Sequence, residues 1–123
     1  IDGAPYICHL ALSSNWLVHY LNANMIGNSS KLLEESHAMR DFDHTFGSKH
    51  KEAFTTIYDA LQLEYLIIDC AQTADGRLLV FEVDTSAIVH AMDPVDLFPY
   101  KRPQMQRTFH AFQQMLQRHA AVS

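Results

Sequence analysis

The chain has little of what would place it outside the ordinary globular class. It has only two cysteines, Cys8 and Cys70, far apart and each inside a strand-like run. That is the pattern of buried, reduced thiols rather than of a disulfide framework. No apolar stretch approaches the roughly 20 residues a membrane span requires, and no secretory leader pattern is present. Positive charge is scarce as well: 9 Lys and Arg against 14 Asp and Glu leave a net charge of −5, which gives a nucleic-acid role little support. The glycine motifs of P-loop and dinucleotide sites are missing, as is the Gly-x-Ser-x-Gly elbow of hydrolases. Histidine is plentiful, with 8 residues. Yet His37, His44 and His50 lack the i, i+4 pairing that zinc sites on helices favour. These absences lead to the expectation of a cytoplasmic protein without membrane or nucleic-acid partners.

What is present is one domain's worth of globular sequence. The 123 residues are 48% hydrophobic and 11% aromatic, enough for a single packed core. Pro5 to Leu12 alternates in polarity and predicts a strand, and Trp16 to Leu21 predicts a second. A loop rich in Asn, Ser and Gly follows. Ser29 or Ser30 is placed to cap a helix from about Lys31 to Gly47, with Leu32, Glu35, Met39, Phe42 and Phe46 near one face. Ser48 is placed to cap another, to about Leu61, turning Ala53, Phe54, Ile57 and Leu61 inward. Near the end, Pro103 suits the first turn of a helix running to about Ala120. Its stripe of Met105, Phe109, Phe112 and Leu116 reads as core packing. Thr85 to Pro94 carries no clear pattern.

The stretch with chemical content is Leu63 to Thr85. Two β-rich apolar runs flank Asp75-Gly76, a strong hairpin signal because both positions of the favoured two-residue turn need positive φ. That turn sets Asp69 directly opposite Glu82. Asp84, two residues on, shares their face. The opposite face reads as apolar, with Leu66, Ile68 and Cys70 against Leu79, Phe81 and Val83. Like charges facing each other across a strand pair are destabilising unless protonation or a cation relieves them. Hard oxygen ligands without nearby Cys or His suit Mg²⁺. The same pattern is also that of a solvated edge hairpin.

On these residues the chain resembles the metal-binding end of the ATP-grasp family, through Leu61-Gln62-Leu63-Glu64-Tyr65-Leu66-Ile67-Ile68-Asp69 and Phe81-Glu82-Val83-Asp84-Thr85. The resemblance implies that Asp69, Glu82 and Asp84 hold Mg²⁺ against the phosphates of ATP, with Asp84 standing where the family usually has Asn. His9 to Ser13 followed by Trp16 to Tyr20, together with Tyr100-Lys101-Arg102-Pro103, is similar to bacterial ATP-grasp segments found behind tetratricopeptide repeats. His19 would then border the nucleotide, and Lys101 and Arg102 would be the catalytic cations reaching a phosphate or acyl group. Two departures stand out. Ile67 occupies a place where amino-acid ligases carry Arg, and no glycine follows Asp84 in the loop that contacts the second substrate.

The fold class expected is α+β, a mainly antiparallel sheet with helices packed on one face. Residues 1–123 form a single domain in this reading. Ile1 in place of an initiator Met leads to the expectation that it is the C-terminal portion of an ATP-grasp fold cut from a longer protein. Function then divides two ways. One is the Mg-ATP half of an ATP-dependent ligase acting on a small-molecule carboxylate through an acyl phosphate captured by an amine or thiol, inactive as this portion alone. The other is a degenerate ATP-grasp module serving as a scaffold or interaction domain. Oligomeric state leaves no sequence signal.

Overall fold

The computed structural model describes residues 1–19, 23–87, 89 and 91–122. It is α+β in class. The order is α1 (Ser29–Asp41), a 3-10 turn (Phe42–His44), α2 (Phe46–Lys49), α3 (Lys51–Leu61), β1 (Ile67–Gln72), β2 (Leu78–Asp84) and α4 (Lys101–Val122). Among the described residues the sheet has two strands, paired antiparallel. No described helix is long and apolar enough to cross a membrane.

Helix α1 starts where a side chain can satisfy its first free N–H groups. Asn28, rather than Ser29 or Ser30, is the cap: its carboxamide oxygen accepts from the Lys31 N–H at 3.2 Å and from the Ser30 hydroxyl at 2.7 Å. The expected single helix to Gly47 is broken at Thr45 (φ −115°, ψ −96°), whose hydroxyl donates to the Asp41 carbonyl. Gly47 lies inside α2 instead of ending a helix. A Cβ there would come within 3.0 Å of the Phe42 carbonyl oxygen and 3.2 Å of its ring, so the position accommodates a close approach. Helix α3 ends on Gln62 in the left-handed region (φ 52°), whose N–H caps the Tyr58 carbonyl. Its expected inward Leu61 is exposed, while Tyr58 is half-buried against Gly3.

Among the described residues before position 22, neither of the two expected strands is present. Residues 4–13 lack regular structure, and 14–17 bend. The Leu10 N–H donates to the Glu35 carboxylate at 2.9 Å, so a helix side chain takes the donor a neighbouring strand would need. Trp16 is 97% exposed. Tyr20 and Leu21, which the second strand was to include, lie outside the described residues.

Helix α4 buries Lys101, Met105, Thr108, Ala111 and Met115. The expected stripe shared only Met105 with this set. Phe109 and Leu116 are exposed, and Phe112 is half-buried, edge-on to Tyr65 at 5.2 Å between ring centres. The helix is rotated because its first residue is anchored. Lys101 is only 4% exposed, and its Nζ lies 2.9 Å from an Asp93 oxygen and 3.6 Å from Glu35 Oε1. Counting threes and fours from Lys101 reproduces the buried set.

Glu35 is fully buried, and its carboxylate accepts from the Leu10 N–H and from the Tyr100 hydroxyl at 2.6 Å. A nearby core joins Ala23, Met25 and Phe98 to Ala11, Leu12, Leu32 and Tyr100. Removing one partner of a buried ion pair strands the other charge, at a cost of about 3–5 kcal/mol. Glu35→Ala is therefore expected to lose stability on that scale in urea titrations. Tyr100→Phe, which removes one hydrogen bond to a charged acceptor, is expected to lose about 1.5–3 kcal/mol.

Candidate functional site

The acidic hairpin forms with the expected facing pair but by a different route. Its loop has three residues, 74–76, rather than two. The Thr73 N–H donates to the Arg77 carbonyl, the Gly76 N–H donates to the Thr73 carbonyl, and both bonds are 2.9 Å. Gly76 takes φ +84°, where a side chain would be strained. Asp75 is held by the Thr73 hydroxyl and by Arg77 Nε at 2.8 Å, which draws its carboxyl below the usual range. The extra loop residue shifts the register by one, giving Gln72↔Leu78, Ala71↔Leu79 and Cys70↔Val80. A bulge then leaves Phe81 unpaired and shifts it back, so that Asp69 faces Glu82 and Ile67 faces Asp84.

The bulge also corrects the assignment of faces. Leu79 pairs with Ala71 and so lies on the acidic face, while Leu78 and Val80 take the face of Ile68 and Cys70. Phe81, at the bulge, is 67% exposed. The expected apolar face is therefore partly dispersed along β2.

Asp69, Glu82 and Asp84 line one depression of about 110 Å³, with Ile67 and Ala87. Asp84 is engaged locally: it accepts from the Ser86 N–H at 2.8 Å and the Ser86 hydroxyl at 3.1 Å. These bonds to the charged form draw its carboxyl below the usual carboxylate range. Among the described residues, Asp69 and Glu82 make no ion pair or side-chain hydrogen bond. Nor do any three His, Cys, Asp or Glu side chains there form a ready-made metal cage. The donor set fits Mg²⁺ in the partial sense that ion requires: two facing carboxylates without an ion pair among the described residues, both of hard oxygen, leaving the remaining ligands to phosphate and water.

Lys101 and Arg102 are not part of this depression. They line a second cavity, of about 230 Å³, that shares no residue with the first. The Lys101 ammonium sits 4.4 Å above the centre of the Phe98 ring, between its two acidic neighbours. Arg102 and His19 are exposed. Asp93, which the sequence did not single out, and Glu35, read there only as part of a helix face, lie against Lys101. The His9 imidazole is pushed below its ordinary 6.5 first by loss of solvation and then by Lys101, against Glu35, Asp69 and Asp93, which pull it up. The Leu10 N–H bond to Glu35 sets the segment around His9 beside the Lys101 cluster. Its neighbour Cys8 has its thiol pushed up by burial and by Asp69, and Cys70 likewise. Both cysteines are free, as expected.

Removing one of two facing like charges is favourable when no cation is bound. Asp69→Asn is therefore expected to stabilise the metal-free chain by about 0.2–1 kcal/mol in denaturation with chelator present, and to lose any stabilisation by added Mg²⁺. The His9 imidazole is expected to titrate below 6.5 by NMR. Because the folded chain favours its neutral form, the associated stability is present above pH 6.5 and is lost as pH falls through the lowered value. Comparison with family models, with curated proteins and with solved structures finds no match to this chain.

Proposed function

We propose that this chain supplies the metal-binding carboxylates of a cytoplasmic, ATP-dependent ligase of the ATP-grasp type, acting on a small-molecule carboxylate. The observation that carries the reading is the register: Asp69 and Glu82 opposite each other, Asp84 on the same face, and no protein cation compensating the first two among the described residues. Like charges held face to face repel, and a divalent ion would relieve that repulsion. Mg²⁺ bound there supplies charge neutralisation at transferring phosphates. Asp69 and Glu82 would hold it across the strand pair. Asp84, fixed by Ser86, would add a third oxygen whose ionised state is already favoured.

The second reading, a degenerate module used as a scaffold or interaction domain, is favoured by exposed apolar surface. A 14.0 kDa chain exposes 8654 Å², where a monomeric domain of that mass exposes about 6,700 Å². Trp16 and Phe81 are among the exposed large side chains.

Thermal unfolding with Mg²⁺ and ATP separates the two. Nucleotide at about 100 times Kd stabilises by roughly 2.7 kcal/mol. On the ligase reading the full-length protein melts higher with Mg-ATP, and Glu82→Gln abolishes both that shift and ATP turnover while leaving the ligand-free melt in place. An unshifted melt at saturating Mg-ATP, or unchanged ATP consumption by Glu82→Gln, would move the assignment to the scaffold.

A further inference from the structure

The outer edge of β2 is open. Among the described residues, no backbone hydrogen bond joins Leu78–Asp84 to any segment other than β1. An unpaired edge presents a row of N–H and C=O groups that another strand can pair with. This one carries neither proline nor lysine, two residues that commonly guard such edges. Its apolar side chains are exposed on both faces: Leu79 on the acidic one, Val80 and Val83 on the other, with Phe81 at the bulge. The bulge also makes the strand complementary to itself. In a straight strand Arg77 and Leu79 would alternate onto the face opposite Glu82 and Asp84; the extra residue brings all four onto one face. Residues that pair across two strands share a face. An antiparallel copy of β2 meets that condition with Arg77 opposite the partner's Asp84, Leu79 opposite the partner's Glu82, and, on the other face, Leu78 opposite the partner's Val83. Opposite charges then meet at both ends of the pairing, and a parallel copy in register would instead set each acid against itself. Arg77 is available for this contact: its side chain is 80% exposed, and its bond to Asp75 uses Nε, leaving the terminal nitrogens.

We propose that β2 pairs antiparallel with β2 of a second copy of this chain across a two-fold axis, joining the two hairpins into one continuous sheet. The occupant is the same chain because the charge pattern of the strand, reversed, complements itself, which is the condition for an isologous contact. There is surface enough for it. The chain exposes 8654 Å² against about 6,700 Å² for a monomer of its mass, an excess larger than the roughly 800 Å² each partner contributes to a standard interface. The acidic faces of the two copies become continuous, with the partner's Arg77 beside Asp84, while Asp69 and Glu82 keep their opposition. The pairing requires neither metal nor nucleotide and does not depend on either functional reading.

Sedimentation velocity on the full chain, without Mg²⁺ or ATP, tests this. A monomer–dimer equilibrium is expected, with Kd on the order of 10 μM, so that dimer prevails by roughly 200 μM. Arg77→Glu sets like charges against the partner's Asp84 at both ends, and Asp84→Lys does the same against the partner's Arg77. Each variant alone is expected to dimerise about ten-fold more weakly. Mixed in equal amounts, the two restore opposite charges at both ends, and the heterodimer is expected to regain the affinity of the unaltered chain. Phe81→Lys, at a position 67% exposed so that the fold is spared, should leave a monomer whose thermal melt matches that of the dilute unaltered chain. The proposal is overturned if the unaltered chain stays monomeric to roughly 200 μM, if it assembles beyond the dimer, if Phe81→Lys still dimerises, or if the mixed variants associate no better than either alone.

Discussion

The structure depends on one carboxylate that is hidden from water. Glu35 has no solvent contact, yet it sits on a helix whose exposed faces had room for it. Such a group is tolerated only when donors replace its hydration. Here the partners come from two distant parts of the chain: the Leu10 backbone from one, and the Tyr100 hydroxyl and Lys101 ammonium from the other. The irregular N-terminal segment is thereby fastened to α1, and the start of α4 is fastened to both. Asp93, from the preceding loop, shares the same ammonium. Because the partners are far apart in sequence, the cluster acts as a tie between elements that contribute few apolar contacts of their own.

That tie has consequences along the whole of α4. With Lys101 drawn inward, Met105, Thr108, Ala111 and Met115 follow it into the interior, and Phe109 and Leu116 rotate toward solvent. The aromatic ring displaced from the core becomes a wall of the adjoining cavity, beside Phe98 and Met105. A polar anchor has overruled the hydrophobic pattern, because an unpaired buried charge costs more than the partial exposure of a Phe or Leu. Gln104 reinforces the same rotation, donating from its side chain to the Met39 carbonyl at 3.0 Å.

The hairpin solves a different problem. A loop with a left-handed Gly76 and side-chain bonds from Thr73 needs three residues, and three residues alone would have slid the acids out of opposition. The bulge at Phe81 restores it. The cost is borne on β2, where a large aromatic side chain is left in solvent and Leu79 moves onto the acidic face. At the far end of the hairpin the Tyr65 hydroxyl donates to the Ala87 carbonyl at 2.8 Å, closing the segment that follows Asp84. Around the loop itself, His50 on the helical side pairs with Gln72 at 3.1 Å.

Local chemistry made much of this legible from residues alone. The α+β class, the three main helical regions, the hairpin around Asp75-Gly76 and the opposition of Asp69 and Glu82 all follow from periodicity, capping and turn preferences, which operate within a few residues. The opposition was reached through a two-residue turn, however, and its survival required a loop residue and a bulge to cancel. Residues 5–12 alternate like a strand, but alternation reports only which side chains face the interior; a strand also needs a neighbour, and Leu10 found Glu35. The buried stripe of α4, the second cavity and the ion cluster of Glu35, Asp93 and Lys101 were decided by tertiary structure. Each rests on charges brought together across tens of residues, where burial strengthens electrostatics and no local pattern records the partner.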